Sequence, residues 1–363
     1  MNKKLLFFVS DFTIGQSALL TDQLLAISES GLQVVAVSGE GEQEKGLKDK
    51  TAHIDVRRVT GLDKHESFCS LAKQVSVIIR EEKVDCVHVQ NNWQMMLVVY
   101  AKFILLRKLS LRIIYTLHGF RHNHPMKSQI ARIVIGTMLL LFASKVICMS
   151  SYLKEKFWFL GKKIALLPLG ISGDYFLDEY VEAPQEGLQM VFPAQFRVGK
   201  NQDLLIRAFA KHIQKTADKL SHLTLPGDGE LKGDMQALVE SLHIADRVSF
   251  PGLCSKKEVL QLYLNSNVGL VSSNSETFGQ SIVEPFVLGR CVISTHVGIA
   301  DDILKDEENG FFFSTENELV NIFWRLYNNL QLVIKVGEIN FDKRTMFSWK
   351  SVTERYVDMI RQL

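Results

Sequence analysis

The chain has 363 residues, of which 47% are hydrophobic and 23% charged, with seven prolines and a formal net charge of +2. That length exceeds what one hydrophobic core ordinarily fills, so two domains are expected, and the composition excludes a disordered or fibrous chain. The charge is unevenly divided, about +6 over residues 1–180 and about −4 beyond, which directs the amino-terminal half toward anionic surfaces.

The opening "MNKKLLFFVSDFTIG" has the outline of a signal peptide, but Asp11 cuts its apolar run and no small-residue cleavage site follows, so it reads as a buried first strand. Short apolar runs then alternate with helical patterns: helix "QSALLTDQLLAISESG", strand "LQVVAVSG", a polar loop, helix "FCSLAKQVSVIIREE", strand "VDCVHVQ", a helix from Trp93 to Arg107, and strands "LRIIYTLHG", "KVICMS" and "IALLPLG". Such alternation predicts right-handed crossovers and a parallel sheet, with function on the loops after the strands. The apolar run Ile133 to Ser144 falls short of the ~20 residues of a membrane-spanning helix, so the chain is expected not to be integral to a membrane. Cys69, Cys86, Cys148, Cys254 and Cys291 are odd in number, scattered and free of C-x-x-C or Cys/His clustering, which fits reduced core cysteines in a cytoplasmic protein.

"DEYVEAPQEG", Asp178 to Gly187, lacks either hydrophobic period and is the expected linker. Beyond it the pattern restarts with "LQMVFPAQF", helix "NQDLLIRAFAKHIQK", "SHLTLPGDG", helix "LKGDMQALVESL", "RVSFPG", helix "KKEVLQLYLNS", "VGLVSS", "RCVIST" and a closing run of helices. Two doubly wound α/β domains are therefore expected, over 1–180 and 187–344, with a cleft between them as the small-molecule site. Within "SNSETFGQSIVEPFVLG" a strand feeds a loop and a helix, so Glu276 stands on the loop and Glu284 about two turns into the helix. The N–H groups near Phe278, Gly279 and Gln280 suit a diphosphate, with both carboxylates directed past it toward sugar hydroxyls. The bland alternative is a capping Glu276 and a solvated Glu284. Against it, "SIVEPFVL" embeds Glu284 among apolar residues, where a carboxylate persists only with partners. Pro285 predicts a kinked or short helix.

"SETFGQSIVEPFVLGRCVISTHVG" resembles the glutamate-x7-glutamate motif of retaining glycosyltransferases of family four, which have the GT-B fold. The likeness extends through Gly15 in the loop after the first strand, "YTLHG", "LLPLGI", "GKNQDLLIRAFA", "LPGDGEL", "DRVSFPG" and "FSWKSVTERYVDMI". It implies two Rossmann-like domains facing a deep cleft, with a carboxyl-terminal helix, about 345–363, packing back on the first. It also implies a nucleotide-sugar donor held by the second domain and a saccharide or lipid-linked saccharide acceptor held by the first. By the same resemblance Glu284 binds the ribose, Glu276 contacts the donor sugar, Lys200 neutralises the diphosphate, Gly15 admits it and His118 lies near the transferred sugar. Thr277, Phe278, Gly279 and Gln280 complete the donor set. Catalysis is assigned to His118, Lys200 and Glu276, with developing charge on the leaving diphosphate met by fixed cations and N–H dipoles.

Four positions depart from the family pattern, Asp302 among them, where a glutamate is usual. Gln195 stands where an arginine is usual, leaving Arg197 to reach the phosphate, Leu169 replaces a common asparagine, and Ile299 replaces a second glycine. No Asp-x-Asp element occurs and the spacing His118, His122, His124 lacks a carboxylate or cysteine partner, so neither a metal nor a cofactor is expected. No nucleic-acid motif appears. The segment Lys154–Lys163, with Phe157, Trp158 and Phe159 among four lysines, reads either as a partly buried surface helix or as a peripheral contact with the inner face of the cytoplasmic membrane. The resemblance to bacterial members implies surface-polysaccharide assembly, such as O-antigen, capsule or exopolysaccharide. A degenerate nucleotide-sugar-binding homologue and a GT-B-fold epimerase are the competing readings.

Overall fold

The computed structural model describes residues 3–9, 14–39, 54–60, 62, 67–106, 110–118 and 125–363; for 14–19 and 125–128 only the backbone is described. Two compact units result, one of residues Met1–Ser172 with Trp349–Leu363 and the other of Gly173–Ser348.

In unit 1 the elements are β1 (Lys4–Phe8), α1 (Ile14–Glu29), β2 (Gln33–Ser38), β3 (Asp55–Arg58), α2 (Phe68–Glu81), β4 (Cys86–Val89), α3 (Asn92–Tyr100), β5 (Arg112–Leu117), α4 (Pro125–Phe142), β6 (Lys145–Cys148), α5 (Ser151–Lys156) and β7 (Ile164–Leu166). The sheet order is β3-β2-β1-β4-β5-β6-β7, and every pair is parallel. Strands covered on both faces need apolar residues at every position. β1 supplies them: Leu6 and Phe8 join the core under α2, α3 and α4, while Leu5 and Phe7 join the opposite core with α1. β3 lies within the stretch expected as a polar loop; its sequence Asp-Val-Arg-Arg lacks an apolar run because it sits at the sheet edge. Likewise the expected helix from Trp93 to Arg107 is α3 followed by a π-helical turn, Ala101–Leu105.

Unit 2 contains β8 (Gln189–Val191), α6 (Gln202–Thr216), β9 (His222–Thr224), α7 (Lys232–Ser241), β10 (Val248–Ser249), α8 (Lys256–Leu264), β11 (Val268–Val271), α9 (Gln280–Val287), β12 (Cys291–Ser294), α10 (Ala300–Ile303), β13 (Phe311–Phe312), α11 (Glu316–Tyr327) and α12 (Leu330–Lys343). Its parallel sheet runs β10-β9-β8-β11-β12-β13. In each sheet the order reverses once, between β1 and β4 and between β8 and β11.

The segment 178–187, expected as a linker, is pinned within unit 2. Asn267 donates to the carbonyls of Pro184 (2.9 Å) and Gly187 (2.8 Å), and the fully buried Arg290 donates to Val181 (2.8 Å). The same guanidinium reaches the carbonyls of Tyr263 and Leu264 (3.0 and 3.2 Å), so a cation closes the carboxyl end of α8, where the helix dipole favours one. The chain therefore changes unit at Ser172–Gly173, ahead of the expected boundary.

The last helix, α13 (Trp349–Arg361), belongs to unit 1 and buries Val352, Thr353, Tyr356, Val357 and Ile360. Tyr356 and Ile360 enter the core that Leu5 and Phe7 share. Gly170 makes room for the Trp349 ring, since a Cβ there would fall 2.5 Å from it.

Candidate functional site

Open parallel sheets offer a crevice where the strand order reverses, at the carboxyl ends of the strands. In unit 2 that point lies between β8 and β11, and the loops following them, 192–201 and 272–279, are tied together. Asn201, in the left-handed region at φ 53°, donates to the Ser272 carbonyl (3.0 Å) and to Asn274 Oδ1 (2.6 Å). The Asn274 N–H donates to the Gly199 carbonyl (2.8 Å), and the Ser272 hydroxyl to the Lys200 carbonyl (2.7 Å). These bonds bring Lys200 to Glu276 across 76 positions of sequence, its ammonium bonded to Oε1. The Ser273 hydroxyl donates to the same oxygen at 2.6 Å.

A third loop, after β12, fixes Glu276 from behind. Thr295 donates its hydroxyl to the Ser273 carbonyl (2.7 Å), and the Ile299 N–H donates to the Phe278 carbonyl (2.9 Å). Gly298, at φ +57°, has no room for a side chain: a Cβ would lie 2.4 Å from the Phe278 carbonyl oxygen and 3.0 Å from Glu276 Cβ. Ile299 thus departs from the family pattern in its side chain, which is buried, while its backbone holds the loop. Leu169, the other apolar departure, is buried in unit 1.

Gly279, at φ +91°, precedes α9, whose first N–H groups have no acceptor within the helix. The helix is eight residues long, in accord with Pro285 at its sixth position. The proline ring lies against β11 at Gly269, where a Cβ would stand 2.5 Å from Pro285 Cγ. Glu284 precedes that proline and lines a cavity of about 310 Å³ together with Tyr175, Lys200, Lys256, Glu276 and Gln280. By exposed area Glu284 is only half-buried, because it borders the cavity. Burial nevertheless pushes its carboxyl up to about pKa 8, against the opposing pull of the Lys256 charge and a hydrogen bond from the Tyr175 hydroxyl. Tyr175 itself is buried, and that burial, with Glu284 beside it, raises its phenol.

Of the expected donor residues, Lys200, Glu276, Gln280 and Glu284 meet around this one cavity, with Thr277, Phe278 and Gly279 on the connecting loop. Two do not: Gly15 belongs to unit 1, and Arg197 also lies off the cavity. Arg197 reaches the carbonyl of its neighbour Val198 (3.4 Å), while Gln195 is exposed. Sequence reasoning missed Tyr175, Lys256 and Ser273. Tyr175 had a signal in its place just after "LLPLGI"; Lys256 had none, being a lysine at the start of an ordinary amphipathic helix.

His118, at the end of β5 in unit 1, has a different environment. Its Nε2 is 2.9 Å from Gln90 Oε1, and Gln90 Nε2 approaches His88 Nε2 at 3.5 Å. His88 Nε2 also meets the Thr116 hydroxyl (2.6 Å), and its Nδ1 meets the Tyr356 hydroxyl of α13 (2.8 Å). A carbonyl oxygen can only accept, so Gln90 Oε1 selects the His118 form that carries a proton on Nε2. Burial lowers His118 to about pKa 4 and His88 to about 3, so both are neutral at physiological pH. Gly15 is the second residue of α1 rather than part of the loop before it. His122 and His124 lie outside the described residues.

The segment Lys154–Lys163 is α5 followed by a 3-10 turn, Trp158–Lys163. Its aromatics divide: Phe157 is fully buried, Phe159 packs on Gly136 of α4, and Trp158 is exposed. Among the described residues no helix is long and apolar enough to cross a membrane.

Two family models match the chain in succession, "Glycosyltransferase Family 4" over residues 15–174 and "Glycosyl transferases group 1" over 178–331. The putative glycosyltransferase EpsD of Bacillus subtilis (strain 168) is 24% identical over 344 residues, 90% of this chain and 88% of EpsD. Among solved structures, Anabaena Alr3699/HepE in complex with UDP superposes with a TM-score of 0.79 at 19% identity, covering 99% of this chain and 100% of HepE. The lipopolysaccharide outer core galactosyltransferase WaaB gives a TM-score of 0.75 at 17% identity, covering 99% and 100%.

Proposed function

The chain belongs to the glycosyltransferases of family four, with the GT-B fold of two Rossmann-like domains, and from that premise we propose that it moves a sugar from a nucleoside diphosphate donor to a saccharide acceptor with retention of configuration. The observation that carries this reading is the meeting of Lys200 and Glu276 at the strand-order reversal of unit 2, over a cavity that Glu284 closes. A diphosphate seated against the start of α9 takes Lys200 from Glu276 and adds the helix N–H groups as donors. Glu276, released, accepts from a sugar hydroxyl, and Glu284 with Tyr175 holds the ribose. As the donor bond breaks, charge grows on the leaving diphosphate, where Lys200 stabilises it without reorganisation. The acceptor is proposed to be lipid-linked and the product a surface polysaccharide; no metal takes part.

HepE has been crystallised with UDP and with UDP-glucose, which makes uridine donors the first probes. Calorimetry with UDP- and GDP-sugars, followed by transfer to lipid-linked saccharides and the anomeric configuration of the product by NMR, tests the proposal. Lys200→Ala is expected to lower turnover about a hundredfold, and a chelator to leave it unchanged. Donor binding without transfer to any acceptor gives the degenerate-homologue reading instead. Epimerised donor in the absence of acceptor gives the epimerase.

A further inference from the structure

Helix α4 presents an apolar stripe to solvent. Gln129, Ile130, Ile133, Val134, Thr137, Leu140 and Leu141 are its exposed positions, all on one arc of a 3.6-residue period. Ile133 is 60% exposed, Val134 62% and Leu141 66%, and among the described side chains no charged residue stands on the arc. Thr137 turns its hydroxyl inward to the Ile133 carbonyl (2.9 Å). At the carboxyl end the stripe continues onto the exposed Phe103 and Ile104, Phe103 lying 6.0 Å from the ring of Phe142. Along its side runs the 3-10 turn, anchored by Phe159 on Gly136, with Trp158 76% exposed beside it.

The charges beside this face are mainly positive: Lys145, Lys154, Lys156, Lys162 and Lys163 stand with one carboxylate, Glu155, among the described residues of α5, the 3-10 turn and the start of β6. From Cys86 through Lys154 the sequence holds nine Lys and Arg and no Asp or Glu. Lys163 donates to the Leu140 and Ala143 carbonyls (2.5 and 2.7 Å) and Lys145 to that of Lys162 (2.9 Å), which sets their cationic heads at the end of the stripe. A second copy of the chain docked here would set this lysine cluster against its own like, with Glu155 as the single carboxylate of that segment to pair them. A surface of anionic phospholipid answers both features, taking the aliphatic stripe and Trp158 at its acyl boundary and the lysines at its headgroups.

We propose that unit 1 docks on anionic bilayers through the outer face of α4, with Phe103, Ile104 and Trp158 as flanking anchors. The surface is broader than the lysine-aromatic segment and centred on a different element. Co-sedimentation of the full chain with vesicles of phosphatidylglycerol and phosphatidylcholine, against phosphatidylcholine alone, tests it. The chain is expected to sediment with the anionic vesicles and to remain in solution with the neutral ones. Ile133→Ser with Leu141→Ser is expected to weaken binding about tenfold or more. Lys154→Gln with Lys162→Gln, two exposed heads, weakens it independently and keeps the test valid should the serine pair unfold. Equal binding to both vesicles, or none to either, overturns the proposal. So does a concentration-dependent dimer, seen by sedimentation velocity, that the serine pair abolishes.

Discussion

A carboxyl that burial holds near pKa 8, as in Glu284, keeps its proton in the folded chain while the unfolded chain ionises it from about 4.5 upward. Between those values the folded state binds more protons, so stability is greatest below the window and falls as pH rises through it. Glu284→Gln removes this loss. Its unfolding midpoint in denaturant is expected to change less than that of the parent between pH about 5 and about 8, and a parallel dependence in both would refute the assignment. The two glutamates were legible as a pair because their spacing spans a strand–loop–helix turn. Their distinct surroundings were not. Glu276 shares an ammonium with Lys200, brought in by hydrogen bonds between distant loops, and Glu284 meets Tyr175 from a stretch expected to lie on the other domain. Local pattern carries no information about such pairings, which arise only when strand order sets β8 beside β11.

At the scale of elements, α13 is joined to β4 by the Tyr356–His88 bond as well as by apolar packing, and His88 in turn bonds Thr116 of β5. Tyr356→Phe keeps the ring in the core but leaves His88 Nδ1 buried without its partner, a loss of about 1–3 kcal/mol. Thermal or denaturant unfolding of unit 1 is expected to shift accordingly, with donor affinity unchanged because the cavity lies wholly in unit 2. The strands were readable from the sequence because both sheet faces are covered, so β1, β4, β5 and β11 appear as apolar runs. β3 and β13 were not, since one is polar at an edge and the other is only two residues long. The apolar content of α4 was also visible. Which side of it packs inward was not, because Ile135 and Leu139 differ little in hydropathy from the exposed Ile133, Val134 and Leu141.

For the whole molecule, each unit has its own sheet and core, so unfolding is expected in two transitions. A chain ending at Ser348 lacks α13 and with it Tyr356 and Ile360 of the unit 1 core. Calorimetry is expected to show the transition of unit 1 lowered and that of unit 2 in place; a joint fall of both would mean that the units do not melt separately.

The return of α13 also bears on synthesis. A ribosome releases a chain from its amino terminus, so β1 emerges well before α13, and the core on one side of β1 stays incomplete until Tyr356 and Ile360 follow. Unit 2, encoded wholly within the middle of the chain, has all of its residues sooner. Unit 1, which begins to emerge before unit 2, is therefore expected to complete its core after it, with apolar surface open to chaperones in the interval.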